Sequence, residues 1–144
     1  MPVSTPPDEA NATAQRWELW LKPLPKSVSD ARRHTRAALA VWQVPGDAVD
    51  TTALIVSELL TNAIRHCDSR HLVQLRVIDN GDSLLIEVDD PDTTHPRPVI
   101  APPDAENGRG LLLVRAGASA FGARGRQPFG KTVWATVETG ERAW

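Results

Sequence analysis

Hydrophobic positions recur along this chain with two periods, and the switches between them delimit its elements. "RWELWLKPL" alternates from residue 16, placing Trp17, Leu19 and Leu21 on one side and Trp20 on the other. This predicts a short edge strand, ended by Pro23 and Pro25 because proline cannot donate to a sheet ladder. The period then lengthens. In "SVSDARRHTRAALAVWQV", Val28, Ala31, Thr35, Ala38, Leu39 and Trp42 share one helical face and the arginines fall opposite. Ser27 or Ser29 would cap this helix, and Pro45 with Gly46 would stop it. A second helix, from about Asp47 to Cys67, carries Ala53, Val56, Leu60, Ala63 and Cys67 as a buried seam.

Two strands follow, "HLVQLRVID" and "SLLIEVDD", joined at "NGD", where Asn80-Gly81 signals an antiparallel hairpin. The next stretch, "PDTTHPRPVIAPPDAENGRG", holds five prolines and no repeat. It is too long and irregular for a plain connector, so it is either a functional loop or a disordered one. "GLLLVRAGASAFG" reads as a helix opened by glycine and closed by Gly122, and "GKTVWATVET" as a last strand with Val133, Ala135 and Val137 inward. The order β-α-α-β-β-loop-α-β, with helices grouped, predicts an α+β fold: a mixed, mostly antiparallel sheet with helices on one face.

Composition narrows the setting. Residues 1–15 lack periodicity and are expected to form a disordered tail, leaving 16–144 as one domain. A formal charge of -2 and a pI near 6.1 do not recommend a phosphate backbone or an anionic membrane as partner. The lone Cys67 cannot form an internal disulfide and reads as a buried, reduced thiol. Neither a signal-peptide pattern nor an apolar run near ~20 residues occurs, so a cytoplasmic protein without membrane or direct nucleic-acid partners is expected.

Four places carry candidate chemistry. Glu58, Asn62 and Arg65 lie four and three residues apart, one stripe on an otherwise apolar helix: a solvated face, or a working carboxylate beside a core. Asp90 ends its strand in phase with Leu84, Ile86 and Val88, hence inward, where it is a turn former or an acceptor for a ligand amine. "GRGL", from Gly108 to Leu111, precedes a helix start whose amides suit a phosphate, though a flexible helix start fits equally. Lys131 and Thr132 in "GKT" head the last strand, where they serve a site or are simply exposed.

Taken in order, these stretches resemble the histidine-kinase-like ATPase (GHKL) superfamily, and within it the anti-sigma-factor-like serine/threonine kinase branch of actinobacterial type. "VSELLTNAIRH" looks like the N box, "LIEVDD" with Pro91 like the G1 box, "ENGRGLLLV" like the G2 box, and "GKTVWATV" completes the match over roughly 31–137. The resemblance implies a two-layer α/β sandwich of the Bergerat ATP-binding type. It implies ATP and Mg2+ as ligands: Asn62 on the metal, Glu58 as general base, Asp90 on the adenine amine, and Thr132 supporting the base beside it. Gly108 and Gly110 would let a lid approach the phosphates, with the amides that follow, Leu111's included, cradling them. Arg65, His66, Arg109 and Lys131 would contact phosphates or lid, and His66 fits equally as a packed histidine.

The implied activity is phosphorylation of an anti-anti-sigma-like protein, in alternation with a sigma factor, with homodimerisation; Trp17 and Trp20 either offer apolar surface to such an interface or simply pack on the sheet. A catalytically weak ATP-binding module that sequesters a protein partner is the alternative. Two departures bear on this. Asp92 and Thr94 stand where the G1 box usually has glycines, and no helical hairpin with a phosphoacceptor histidine precedes the domain, His34 lying among arginines. Histidine autokinase activity is therefore not expected.

Overall fold

The computed structural model describes residues 15–67, 70–91, 116–126 and 130–140. Within them lie β1 (Gln15–Leu21), α1 (Pro25–Val41), α2 (Gly46–His66), β2 (Val73–Asp79), β3 (Ser83–Asp90), β4 (Ala120–Gly125) and β5 (Lys131–Glu138). The strands form one sheet in the order β1-β2-β3-β5-β4, and every pairing among the described strands is antiparallel. The α+β architecture with two helices packed on an antiparallel sheet is the one expected.

Strand periodicity decides what each face of the sheet becomes. Leu75 and Val77 on β2, Leu84, Ile86 and Val88 on β3, and Val133, Ala135 and Val137 on β5 enter one core. From α2 come Ile55, Val56, Leu59, Leu60 and Ala63, and from α1 Ala31 and Leu39. Each fully buried Leu or Ile contributes about 1.5–3 kcal/mol by leaving water, so this interface dominates the fold. Trp17 packs on the core from β1, while Trp20, one parity step away, stays 59% exposed. Cys67 is half-buried rather than buried, packed against the same core.

The ends of α1 differ from the expectation. Leu24 is the N-cap, without a side-chain cap, and Pro25 opens the helix. Proline suits that position because its fixed φ is helical and its missing N–H would have gone unbonded. Ser27 sits buried inside the first turn instead of capping it. At the other end the chain turns before Pro45 is reached. Gln43 takes φ 61, its N–H donates to the Ala40 carbonyl at 3.0 Å, and Val44 N–H donates to Leu39 at 3.0 Å. That is a Schellman stop with glutamine in the left-handed position, held by burial of Val44 and Leu39. Pro45 and Gly46 then begin α2 rather than merely ending α1.

The β2–β3 hairpin closes through Asn80, Gly81 and Asp82, with Gly81 at φ 99 and its N–H held by the Asp79 carboxylate at 3.0 Å. β4 corrects the expected end of the helix across 110–122: Ala116 is helical, and residues 110–115 lie outside the described residues. The stretch from Ala120 is a strand, and Gly122 lies inside it rather than closing a helix. Its pairing explains why: a Cβ at Gly122 would stand 3.0 Å from the Trp134 ring, so glycine leaves room for the indole to lie over β4.

Candidate functional site

α2 packs on β2, β3 and β5, and its polar stripe rises at the margin of that interface. Glu58 and Asn62 are half-buried and Arg65 is exposed. Helical spacing puts Glu58 and Asn62 on successive turns of one face. On the sheet, Asp90 ends β3 in phase with Leu84, Ile86 and Val88, so it faces the helical layer, and it is 0% exposed. The inward placement read from parity holds.

Opposite Asp90 in the β3–β5 register stands Lys131, whose Nζ lies 3.8 Å from the carboxylate Oδ2. Gly130 presses the two strand ends together. It takes φ +93, and a Cβ on it would lie 2.6 Å from the Asp90 carbonyl oxygen, a distance no side chain tolerates.

Thr132 is placed differently from the expectation. It pairs with Asp89 rather than Asp90 and its hydroxyl donates to the Asp89 carboxylate at 2.6 Å, on the face of the sheet turned away from the helices. A one-residue step along a strand reverses the side chain, so Thr132 does not stand beside Asp90; Lys131 does.

Arg65 borders a cleft of about 420 Å3 between the C-terminal half of α2 and the start of α1, shared with Val28, Ser29 and Arg32. Two arginines of α1 are less free than a solvated face would have them. Arg32 donates to Ser57 Oγ at 3.0 Å and Arg36 to Asp50 at 2.8 Å, both tying α1 to α2. Exposed as they are, such ties contribute little each. His66 closes α2, but its side chain lies outside the described residues, as do Gly108, Arg109, Gly110, Leu111, Asp92, Thr94 and the whole 92–107 stretch.

What the arrangement can hold follows from its donors. Among the described residues no group of three or more His, Cys, Asp or Glu side chains could cage a metal. Mg2+ does not need one: it keeps several waters and is commonly held by one or two protein oxygens together with substrate phosphates. The amide oxygen of Asn62 fits that use. The Asp90 carboxylate, buried at the end of the sheet, can accept from an amino group.

On the opposite face of the sheet lies a charged cluster that the periodicity reading passed over. The Arg76 guanidinium donates to Glu87 at 2.9 Å, to both oxygens of Asp89 at 2.7 and 2.9 Å, and to Gln74 at 2.9 Å. Arg124 donates to the second Glu87 oxygen at 2.9 Å, and Arg126 lies 3.8 Å from Asp89. Glu87 and Asp89 are buried. Burial alone would raise the Asp89 pKa, but the hydrogen bonds from Arg76 and Thr132 and the charges of Arg76 and Arg126 outweigh it and hold the carboxyl below its usual range. Against its own desolvation, the hydrogen bonds to Asp89 and Glu87 and their charges hold the Arg76 guanidinium more firmly protonated than usual. The signal was present in the sequence: Arg76, Glu87 and Asp89 alternate out of phase with the core residues, and the hairpin sets Arg76 opposite Glu87.

With this geometry in place, the comparison with known families is direct. The family model of the histidine kinase-like ATPase domain matches residues 21–137. No curated protein matches the chain.

Proposed function

Because the chain belongs to the histidine kinase-like ATPase domain family, an ATP-binding class, we propose that it is a Mg-ATP-dependent serine/threonine kinase acting on an anti-anti-sigma-like protein. In this reading it serves as an anti-sigma-type switch, exchanging that partner for a sigma factor. The observation that carries the nucleotide part is Asp90: a carboxylate 0% exposed at a strand end, facing the layer that bears Glu58 and Asn62. A carboxylate accepts hydrogen bonds and donates none when ionised, which suits it to the exocyclic amine of adenine.

Asp90 would accept from that amine and fix the base. Asn62 would hold Mg2+, which when bound neutralises triphosphate charge. Glu58 would take the proton from the partner's Ser or Thr hydroxyl as its oxygen attacks the γ-phosphorus, the bond to the bridging oxygen breaks, and ADP leaves. The rest is positioning, which supplies most of the rate in phosphoryl transfer. Purified protein incubated with labelled ATP and candidate partners tests this: transfer should reach a partner Ser or Thr, and Glu58→Gln should abolish transfer while ATP still binds. Undiminished transfer by Glu58→Gln would remove Glu58 from the role.

A second reading is favoured by Asp92 and Thr94, which replace the glycines usual in the G1 box. Here the protein binds ATP as a switching ligand and regulates by sequestering its partner. ATP binding without transfer to any captured partner would select it.

A further inference from the structure

We propose that Lys131 reads the base directly, donating to adenine N1 while Asp90 accepts from the neighbouring amino group. This rests on the ATP-binding reading above and assigns Lys131 to the base end of the nucleotide rather than to the phosphates or lid.

The register is the starting point. Lys131 and Asp90 are cross-strand partners at the junction of β5 and β3, so their side chains emerge on the same face, the one turned to the helices. Their charged atoms stand 3.8 Å apart. That is too far for a hydrogen bond and close enough for mutual attraction. The two groups therefore stand side by side on one face, one as acceptor and one as donor.

Both are mostly withdrawn from water, the Lys131 side chain 15% and the Asp90 side chain 1% exposed. A lysine ammonium has three protons to satisfy and no acceptor capacity, so at this depth it gains from a further lone pair. The Watson–Crick edge of adenine presents an amino donor next to the N1 acceptor. Guanine presents the reverse, an O6 acceptor next to an N1–H donor, and would set O6 against the carboxylate.

The backbone keeps this pair in place. Gly130, at φ +93 and within 2.6 Å of the Asp90 carbonyl by its would-be Cβ, holds the head of β5 against the end of β3. The neighbouring hydroxyl is already used: Thr132 points through the sheet to Asp89. Lys131 is thus the β5 side chain that shares the face of Asp90 at this level of the sheet.

The test is a cycle between one ligand atom and one side chain, read by calorimetry on the full chain. The ligands are Mg-ATP, its 1-deaza analogue, in which N1 is a C–H, and purine riboside triphosphate, which lacks the amino group. For wild type, loss of N1 should weaken binding about 10-fold or more, the range for a hydrogen bond to a charged group. In Lys131→Met, ATP and 1-deaza-ATP should bind alike. Lys131→Arg, which keeps a charged donor, should preserve part of the discrimination and serves where the methionine variant folds poorly.

Equal losses for 1-deaza-ATP in wild type and Lys131→Met, or no loss in wild type, would overturn the proposal. The reading beneath it is tested separately: purine riboside triphosphate should bind wild type more weakly than ATP, and equally in Asp90→Ala. If that holds while the N1 cycle fails, Lys131 falls and the ATP site stands; if Mg-ATP does not bind wild type at all, both fall.

Discussion

Replacing Arg76 with methionine should be among the most damaging single changes in this fold, and its damage should depend on pH. Methionine keeps an unbranched apolar stem and removes the guanidinium. Four hydrogen bonds go with it, to Gln74, Glu87 and both oxygens of Asp89. Two carboxylates remain whose side chains are 2% and 5% exposed. Removing one partner of a buried ion pair costs about 3–5 kcal/mol, because the survivor keeps its desolvation penalty. Glu87 retains Arg124, and Asp89 retains Thr132. The lower part of that range, about 3–4 kcal/mol, is therefore expected at pH 7, out of a total stability on the order of 5–15 kcal/mol.

The sign of the pH effect follows from Asp89. In the native protein its pKa is held below the ordinary range, so the stability it contributes is present above the unfolded-state pKa near ~4 and is lost as pH falls through the lower native value. Without Arg76, burial dominates and protonation relieves the variant. The gap between wild type and Arg76→Met should be widest at pH 7 and narrow toward pH 4. Urea unfolding followed by circular dichroism at pH 7, 5 and 4 measures it. A gap below about 1 kcal/mol at pH 7, or one unchanged down to pH 4, would refute the assignment of buried charge to this cluster.

Other positions give sharper, smaller outcomes. Gln43→Gly should stabilise by about 0.5–1 kcal/mol, since Gln43 sits at φ 61 where glycine is unstrained, and a fall in the urea midpoint would contradict the helix stop described. Gly122→Val should destabilise by about 1–3 kcal/mol, because a Cβ there meets the Trp134 ring at 3.0 Å; unchanged thermal unfolding would mean the indole moves aside freely. Gly130→Ala should cost at least about 2 kcal/mol and weaken nucleotide binding with it, since both the φ of +93 and the Asp90 carbonyl at 2.6 Å oppose a side chain. Calorimetry on the folded fraction separates the two effects.

Much of this fold is legible in the sequence because burial imposes a period. The alternation through β2, β3 and β5 and the 3.6-residue seam of α2 follow from turning one apolar face to the shared core, and the inward placement of Asp90 came from the same parity. β4 was harder to read because "AFGARG" contributes only Phe121 and Ala123 to the core and owes its strand form to pairing with β5 and to the indole over Gly122. The pattern of so short a segment does not by itself record that pairing. The end of α1 was misjudged for a related reason: Gln43 adopts φ 61 under the tertiary pull of Val44 into the core, which propensity alone does not foresee.

At the site, the choice between Lys131 and Thr132 turned on register. Family resemblance proposes a threonine, whereas parity with Val133, Ala135 and Val137, and the pairing of Asp90 with Lys131, turn Lys131 and not Thr132 to the helices. The Arg76 cluster was visible in principle, since the hairpin register sets Arg76 opposite Glu87, yet alternating charges on a strand ordinarily denote a solvated face. Their burial is a tertiary fact.

The central claim is that Asp90 anchors a nucleotide, and titration of Mg-ATP into the full chain, wild type against Asp90→Ala, tests it most directly. Saturable binding by wild type, weakened at least about 10-fold in Asp90→Ala with thermal unfolding preserved, is the predicted result. Equal affinity in the two proteins, or no binding by wild type, would contradict it.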